Sequence, residues 1–142
     1  MPETAAASLS QPRSIPPIAE KPAASILIVD DEWLVRWSVT EALRDRGFDV
    51  DEAIDARSAQ LALKNHYDLV LLDVHLPDVH DLRLLSLIRA RSARQPVLVM
   101  TAFATREIVD EAASLGAAVL NKPFELDALV DAVEHTLAAR VY

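Results

Sequence analysis

Five polar side chains stand at the ends of short apolar runs. Asp30 and Asp31 follow SILIV, Asp73 closes YDLVLLD, Thr101 follows VLVM, and Lys122 follows AAVLN. Carboxylates held together repel one another and raise each other's pKa unless a cation neutralises them. An all-oxygen set without His or Cys suits a hard ion, and Mg²⁺ is typically held by one or two carboxylates plus waters. A carboxylate is also a competent nucleophile toward phosphorus, giving an acyl phosphate. Phosphoryl transfer chiefly needs in-line positioning and charge neutralisation. A metal on one side and Lys122 on the other supply the charge, and Thr101 can hydrogen-bond a phosphoryl oxygen. Lys122 is one of three lysines, with Lys21 and Lys64, against eleven arginines. A lysine retained at this position is therefore suggestive.

Each group has a plainer reading when taken alone. Asp30 and Asp31 are candidates for helix N-caps, a favoured role for Asp. Asp73 alone is another loop acid, Thr101 a cap for the helix that follows, and Lys122 a solvated surface charge. The weight lies in the set and its order on the elements that carry it. Continuous apolar runs ending in turn signals predict strands at 25–30, 48–53, 67–73, 97–100 and 117–121. Helical spacing predicts helices at 32–46, 56–65, 81–91, 105–115 and 125–139, with Gly47 and Gly116 as helix stops. Five strands alternating with five helices imply right-handed crossovers and a parallel sheet covered on both faces, an α/β doubly wound (βα)5 fold. In such sheets the active crevice lies outside the carboxyl ends of the strands, which is where the five groups fall.

Composition narrows the function class. With 142 residues the chain is one domain by the usual prior. Hydrophobic residues make up 51%, but 23 of them are Ala, so the core is built from small and aliphatic side chains. The net charge of −8 argues against a nucleic-acid-binding domain, which needs a basic face. The absence of cysteine excludes disulfides, thiolate zinc sites and cysteine nucleophiles. No apolar run is long enough to span a membrane. The first 22 residues hold five prolines and no long apolar stretch, so no signal peptide is expected there. Residues 1–24 are expected to form a disordered or polyproline-like tail and 25–142 the folded domain. Ile15 and Ile18, flanking Pro16 and Pro17, offer at most a small docking element in that tail.

The segments ILIVDDE (26–32), LVLLDVHLPD (69–78), PVLVMTAFA (96–104) and NKPF (121–124) resemble the receiver domain of two-component response regulators. The VLVMTAF and DEWLVRW wording is most similar to receivers of the nitrogen-regulation type. The resemblance covers residues 24–140. It implies a flavodoxin-like strand order 2-1-3-4-5 and a cytoplasmic location. Asp73 would be the phosphoacceptor, supplied by a histidine kinase or phosphotransfer protein. Asp31 would ligate Mg²⁺ with Asp73 and the His75 backbone carbonyl, and Asp30 would hold metal-bound water. Thr101 would be the switch hydroxyl, Lys122 would pair with the phosphoryl oxygens, and the Lys122–Pro123 bond would be cis. Output would pass through the face made by the fourth helix, fifth strand and fifth helix, to a protein partner or a second copy.

Three departures from the family pattern stand out. Val119, a candidate partner-face residue on the fifth strand, occupies a position where an aromatic is common. Asp81 stands where a glycine is usual, and Asp tolerates positive φ better than most residues. Only 18 residues follow Phe124, so the chain reads as a stand-alone receiver. Trp33 and Trp37 share a helix face distinct from that of Val35, Val39, Ala42 and Leu43. They are either anchors for a kinase or partner, or residues lying over the helix flank or under the tail. His75 borders the site and reads as a loop side chain, and His80 gives no signal. A Mg²⁺-dependent phosphatase passing through an aspartyl phosphate is the alternative enzyme reading. It is weakened by His75, where such enzymes place an acid. A degenerate receiver binding constitutively, or a phosphate relay, is also open.

Overall fold

The computed structural model describes residues 23–139. The expected tail and its Ile15–Ile18 element therefore fall almost wholly outside the described residues. Five parallel strands form one sheet: β1 (Ser25–Val29), β2 (Asp49–Ala53), β3 (Leu69–Asp73), β4 (Val97–Thr101) and β5 (Ala118–Asn121). Five helices alternate with them: α1 (Trp33–Asp45), α2 (Ala56–Ala62), α3 (Arg83–Arg91), α4 (Arg106–Ser114) and α5 (Leu126–Ala138). The strand order is β2-β1-β3-β4-β5, the expected doubly wound arrangement.

Strand side chains alternate between the two faces of the sheet, and each face builds its own core. Leu27, Val29, Val70, Leu72, Val97 and Val99 pack against Ala56 and Ala59 of α2, Leu84, Leu85 and Ile88 of α3, and Ala112 of α4. Ile26, Ile28, Leu69, Leu71, Leu98 and Met100 pack against Val39 and Leu43 of α1 and Leu129, Val130 and Val133 of α5. The central strands β3 and β4 are buried throughout their length. The expectation of doubly buried strands fails at the edges. Strand β2 exposes Asp49, Asp51 and Glu52, and β5 exposes its ends, because an edge strand has a neighbour on one side only.

Local chemistry sets the element ends. Asp55 caps α2 by accepting from the Ser58 amide at 2.7 Å, in a reciprocal capping box. Thr105 caps α4 through the Ile108 amide. Thr101, the cap candidate read from sequence, instead lies at the end of β4. Gly47 and Gly116 follow the last turns of α1 and α4 with φ of +89° and +72°, a conformation that side-chain-bearing residues rarely adopt. No other described residue has positive φ, so Asp81 does not inherit a glycine-like backbone. Its carboxylate accepts from the Arg83 amide at 2.9 Å and starts α3 from an ordinary conformation. Helix α2 ends at Ala62, short of the expected residue 65, and β3 begins at Leu69, after Tyr67. Tyr67 is buried in the approach to β3, with its hydroxyl donating to Asp51 at 2.6 Å.

Candidate functional site

The parallel register brings the five groups to one rim. Val29 pairs with Leu72, so Asp30 and Asp73 emerge level with one another from adjacent strands. Asp73 pairs with Met100, and Thr101 with Asn121, which places Thr101 and Lys122 on the same edge. Asp30, Asp73 and Thr101 are buried, whereas Asp31 is exposed.

Lys122 is the centre of the charge network. Its Nζ donates to Asp30 Oδ2 at 2.8 Å and to Glu32 Oε1 at 2.9 Å, and lies 3.3 Å from Asp73 Oδ2. Burial alone would pull the lysine pKa down. Hydrogen bonds to Asp30 and Glu32 and the charges of Asp30 and Asp73 outweigh it and hold the ammonium above its ordinary range. Burial, and then the Asp30 charge, pushes the Asp73 carboxyl up to about 6, against the opposing pull of Lys122 and the His75 amide.

Backbone contacts fix the carboxylates. Asp30 Oδ1 accepts from the Glu32 amide at 2.9 Å. Glu32 is the N-cap residue of α1 and no side chain caps that helix, so neither Asp30 nor Asp31 fills the cap role read from sequence. The second Asp30 oxygen faces Lys122. Asp73 Oδ1 accepts from the His75 amide at 3.3 Å. Arg36 reaches back from α1 to the Asp30 carbonyl at 2.8 Å and pairs with Glu52 of β2 at 2.8 Å, tying the first acidic loop to the sheet edge. Thr101 Oγ1 accepts from the Phe103 amide at 3.0 Å, and the Lys122–Pro123 bond is cis.

Asp30, Asp31 and Asp73 each offer a carboxylate oxygen, and these oxygens lie within 4.8 Å of one another. Three hard oxygens around one point fit a divalent cation such as Mg²⁺. A cleft of about 320 Å³ opens beside them, bordered by Asp31, Glu32, Asp73, His75, Phe103 and Lys122. The exposed His75 ring meets Phe103 edge-on, with centroids 5.4 Å apart, at the mouth of this cleft.

Glu32 and Phe103 are the site residues that sequence reasoning missed. Glu32 was visible only as the third acid of DDE, and Phe103 as a residue two beyond Thr101. Of the three residues considered for a partner face, Trp33 and Trp37 are 66% and 54% exposed. Val119 is partly buried against the α2–α4 core, so its side chain is not part of the tryptophan face. His80 is exposed in the loop before α3.

The response regulator receiver domain profile matches residues 26–134. The chain belongs to the response regulator receiver family. Transcriptional regulatory protein PdtaR of Mycobacterium tuberculosis is 38% identical over 112 residues, covering 77% of this chain and 54% of that protein. Sporulation initiation phosphotransferase F of Bacillus subtilis is 32% identical over 114 residues, covering 79% of this chain and 92% of that protein. The non-phosphorylated HemR receiver domain from Leptospira biflexa superposes with a TM-score of 0.80 at 27% identity, covering 84% of this chain and 98% of that one. The chain thus spans about half the length of PdtaR and nearly all of the sporulation phosphotransferase. Receiver domains are phosphorylation-controlled signalling modules rather than conventional enzymes. They bind Mg²⁺ at an acidic pocket and interact with histidine kinases or phosphotransfer proteins. Among the described residues, no helix is long and apolar enough to cross a membrane.

Proposed function

We propose that this receiver accepts a phosphoryl group on Asp73 from a phosphohistidine donor. The observation that carries this reading is the buried Asp73 carboxylate, level with Asp30 and 3.3 Å from the Lys122 ammonium. One Asp73 oxygen attacks phosphorus, the P–N bond to the donor histidine breaks, and the imidazole leaves with the bond's electron pair. The product is an acyl phosphate on Asp73. Asp30, Asp31, Asp73 and the His75 carbonyl would hold Mg²⁺, which when bound neutralises phosphoryl oxygens and carboxylate charge. Lys122 neutralises the opposite side, exchanging its carboxylate partners for a phosphoryl oxygen. Thr101 donates its hydroxyl to the phosphoryl group, and that change at the end of β4 carries the signal toward α4, β5 and α5. The output is then contact with a protein partner or with a second copy.

The exposed Trp33, Leu34 and Trp37 lie on the α1 side of the rim. An apolar groove of about 450 Å³ runs beside α1 to Phe124 and Leu126, and Lys122 forms part of its wall. This continuity between groove and site supports a donor-protein docking face there. The Mg²⁺-dependent phosphatase reading has less support, because His75 stands where a leaving-group acid is needed and its ring turns to Phe103.

The test is the intact mass after incubation with acetyl phosphate and Mg²⁺. One phosphoryl adduct is expected, lost on chelation and absent in Asp73→Asn. An adduct that persists in Asp73→Asn would remove the assignment. Steady multiple-turnover hydrolysis of phosphomonoesters would favour the phosphatase.

A further inference from the structure

The cations of this acidic chain are unevenly distributed. Six of the 14 Lys and Arg residues fall between positions 57 and 94, against four acids there. The rest of the chain holds 18 acids and eight cations. Three of the six, Arg57, Lys64 and Arg91, line a single open groove of about 440 Å³ between α2, the end of α3 and the loop after β3. Among the described residues, none of these three side chains has a hydrogen bond or ion pair. Unpaired cations are unexpected where acids are so abundant, since each has many potential partners on its own surface.

The groove's own acid does not oppose them. Asp78 directs both carboxylate oxygens to the start of α2, accepting from the Ala56 amide at 2.9 Å and the Arg57 amide at 3.0 Å. These bonds, the Ala56 amide foremost, hold Asp78 below the usual carboxylate range. Leu61 stands 56% exposed between the cations, with Val79 on the opposite wall.

We propose that this groove docks a carboxylate-rich segment of a partner polypeptide. Arg57 and Arg91 present planar forks suited to side-chain carboxylates, Lys64 adds a third charge, and Leu61 with Val79 receives an apolar side chain between them. Two competing occupants fit less well. A free phosphate would seek the helix-start amides, which Asp78 already occupies. A nucleic acid backbone has no use for the exposed Leu61 and meets the repulsive field of the remaining surface. This inference does not depend on which residue accepts the phosphoryl group.

The experiment uses the full chain and a fluorescein-labelled peptide alternating Glu and Leu, read by anisotropy. The peptide is expected to bind, and a Gln-for-Glu version to bind at least about tenfold more weakly. Arg57→Glu with Arg91→Glu should weaken binding about tenfold or more, and Leu61→Ser several-fold. Arg106→Glu, an arginine 90% exposed on α4, should change it less than about twofold. Acetyl phosphate labelling of each variant verifies the fold and is expected to be unchanged. The proposal is overturned by no binding, by equal binding in the doubly substituted variant, or by equal sensitivity to Arg106→Glu. It is also overturned if inorganic phosphate or a single-stranded oligonucleotide displaces the peptide while being indifferent to Leu61→Ser.

Discussion

Asp73, the proposed phosphoacceptor, is a buried carboxylate whose protonation is linked to stability. Its folded pKa is raised to about 6 from an ordinary 3.8, so between those values the folded state holds a proton that the unfolded state has lost. Its contribution to stability is fully present below the unfolded value and is lost as pH rises through the folded one. Asp73→Asn is therefore expected to melt on the order of 5 °C above the wild type near pH 7.5 without divalent cation. The gap should close toward about pH 4, where the wild-type carboxyl is already neutral. Mg²⁺ should raise the wild-type melting temperature near pH 7.5 and leave Asp73→Asn largely unmoved. Differential scanning calorimetry at several pH values reads all three outcomes, and a wild type that is equally or more stable near pH 7.5 would contradict the assignment. Asp30, Asp73, Thr101 and Lys122 were legible as a group because each ends a recognisable apolar run, and parallel strands deliver their ends to one rim. Glu32 was not, because nothing in three consecutive acids says which of them turn toward a lysine ninety positions away. Phe103 was hidden for a similar reason: its meeting with His75 depends on two loops that local pattern does not place.

At the scale of elements, the strands and helices followed from period and punctuation, and the departures have physical causes. The strand interiors of β1, β3 and β4 were readable because burial on both faces leaves an unbroken apolar run. The α2 end was misplaced because Leu63 through Asn65 continues the apolar and polar texture while the backbone already turns. What joins neighbouring elements was largely invisible. Arg89 of α3 is the clearest case, since its guanidinium bonds the carbonyls of Leu115 and Gln95, and more distantly those of Ser92 and Gly116. It thereby satisfies the end of α4 and the approach to β4 with one side chain. Arg89→Met keeps the aliphatic stem and removes the donors, leaving those carbonyls without partners. A loss of about 2–4 kcal/mol in urea unfolding is expected, with the adduct at Asp73 still forming. A change below about 0.5 kcal/mol would show that solvent replaces those donors without cost.

The whole molecule presents two unlike sides of one sheet. On one side α1 carries the exposed tryptophans, and an apolar groove beside the rim lies between α1 and the start of α5. On the other, α2, the turn after it and α3 carry the three cations that have no partner among the described residues. The tryptophan face was legible as a spacing of four within a helix, but its exposure depended on where α5 and the rest of the chain lie. If it receives the phosphodonor protein, Trp33→Ala with Trp37→Ala should leave labelling by acetyl phosphate within about twofold. Transfer from a phosphorylated histidine kinase should fall by about tenfold or more, as expected for two aromatic anchors removed from one interface. Equal loss with both donors would mean that the substitutions disturb the rim itself. Unchanged transfer would move the docking face elsewhere.

The two glycines, both at helix ends, have a further consequence for motion. The loop that runs from Asp73 to α3 contains no glycine and no left-handed residue. It is closed on itself by the Leu76 amide donating to the Val79 carbonyl and clamped to α2 by Asp78. Such a segment lacks a free swivel. A side-chain-bearing residue in place of glycine also stabilises the folded state by about 0.4–1 kcal/mol per position, by lowering the conformational entropy of the unfolded chain. Rearrangement beside Asp73 must therefore proceed as a shift of a stiff arch together with its supports, α2 and α3, and its amide protons should exchange with solvent as one cooperative group.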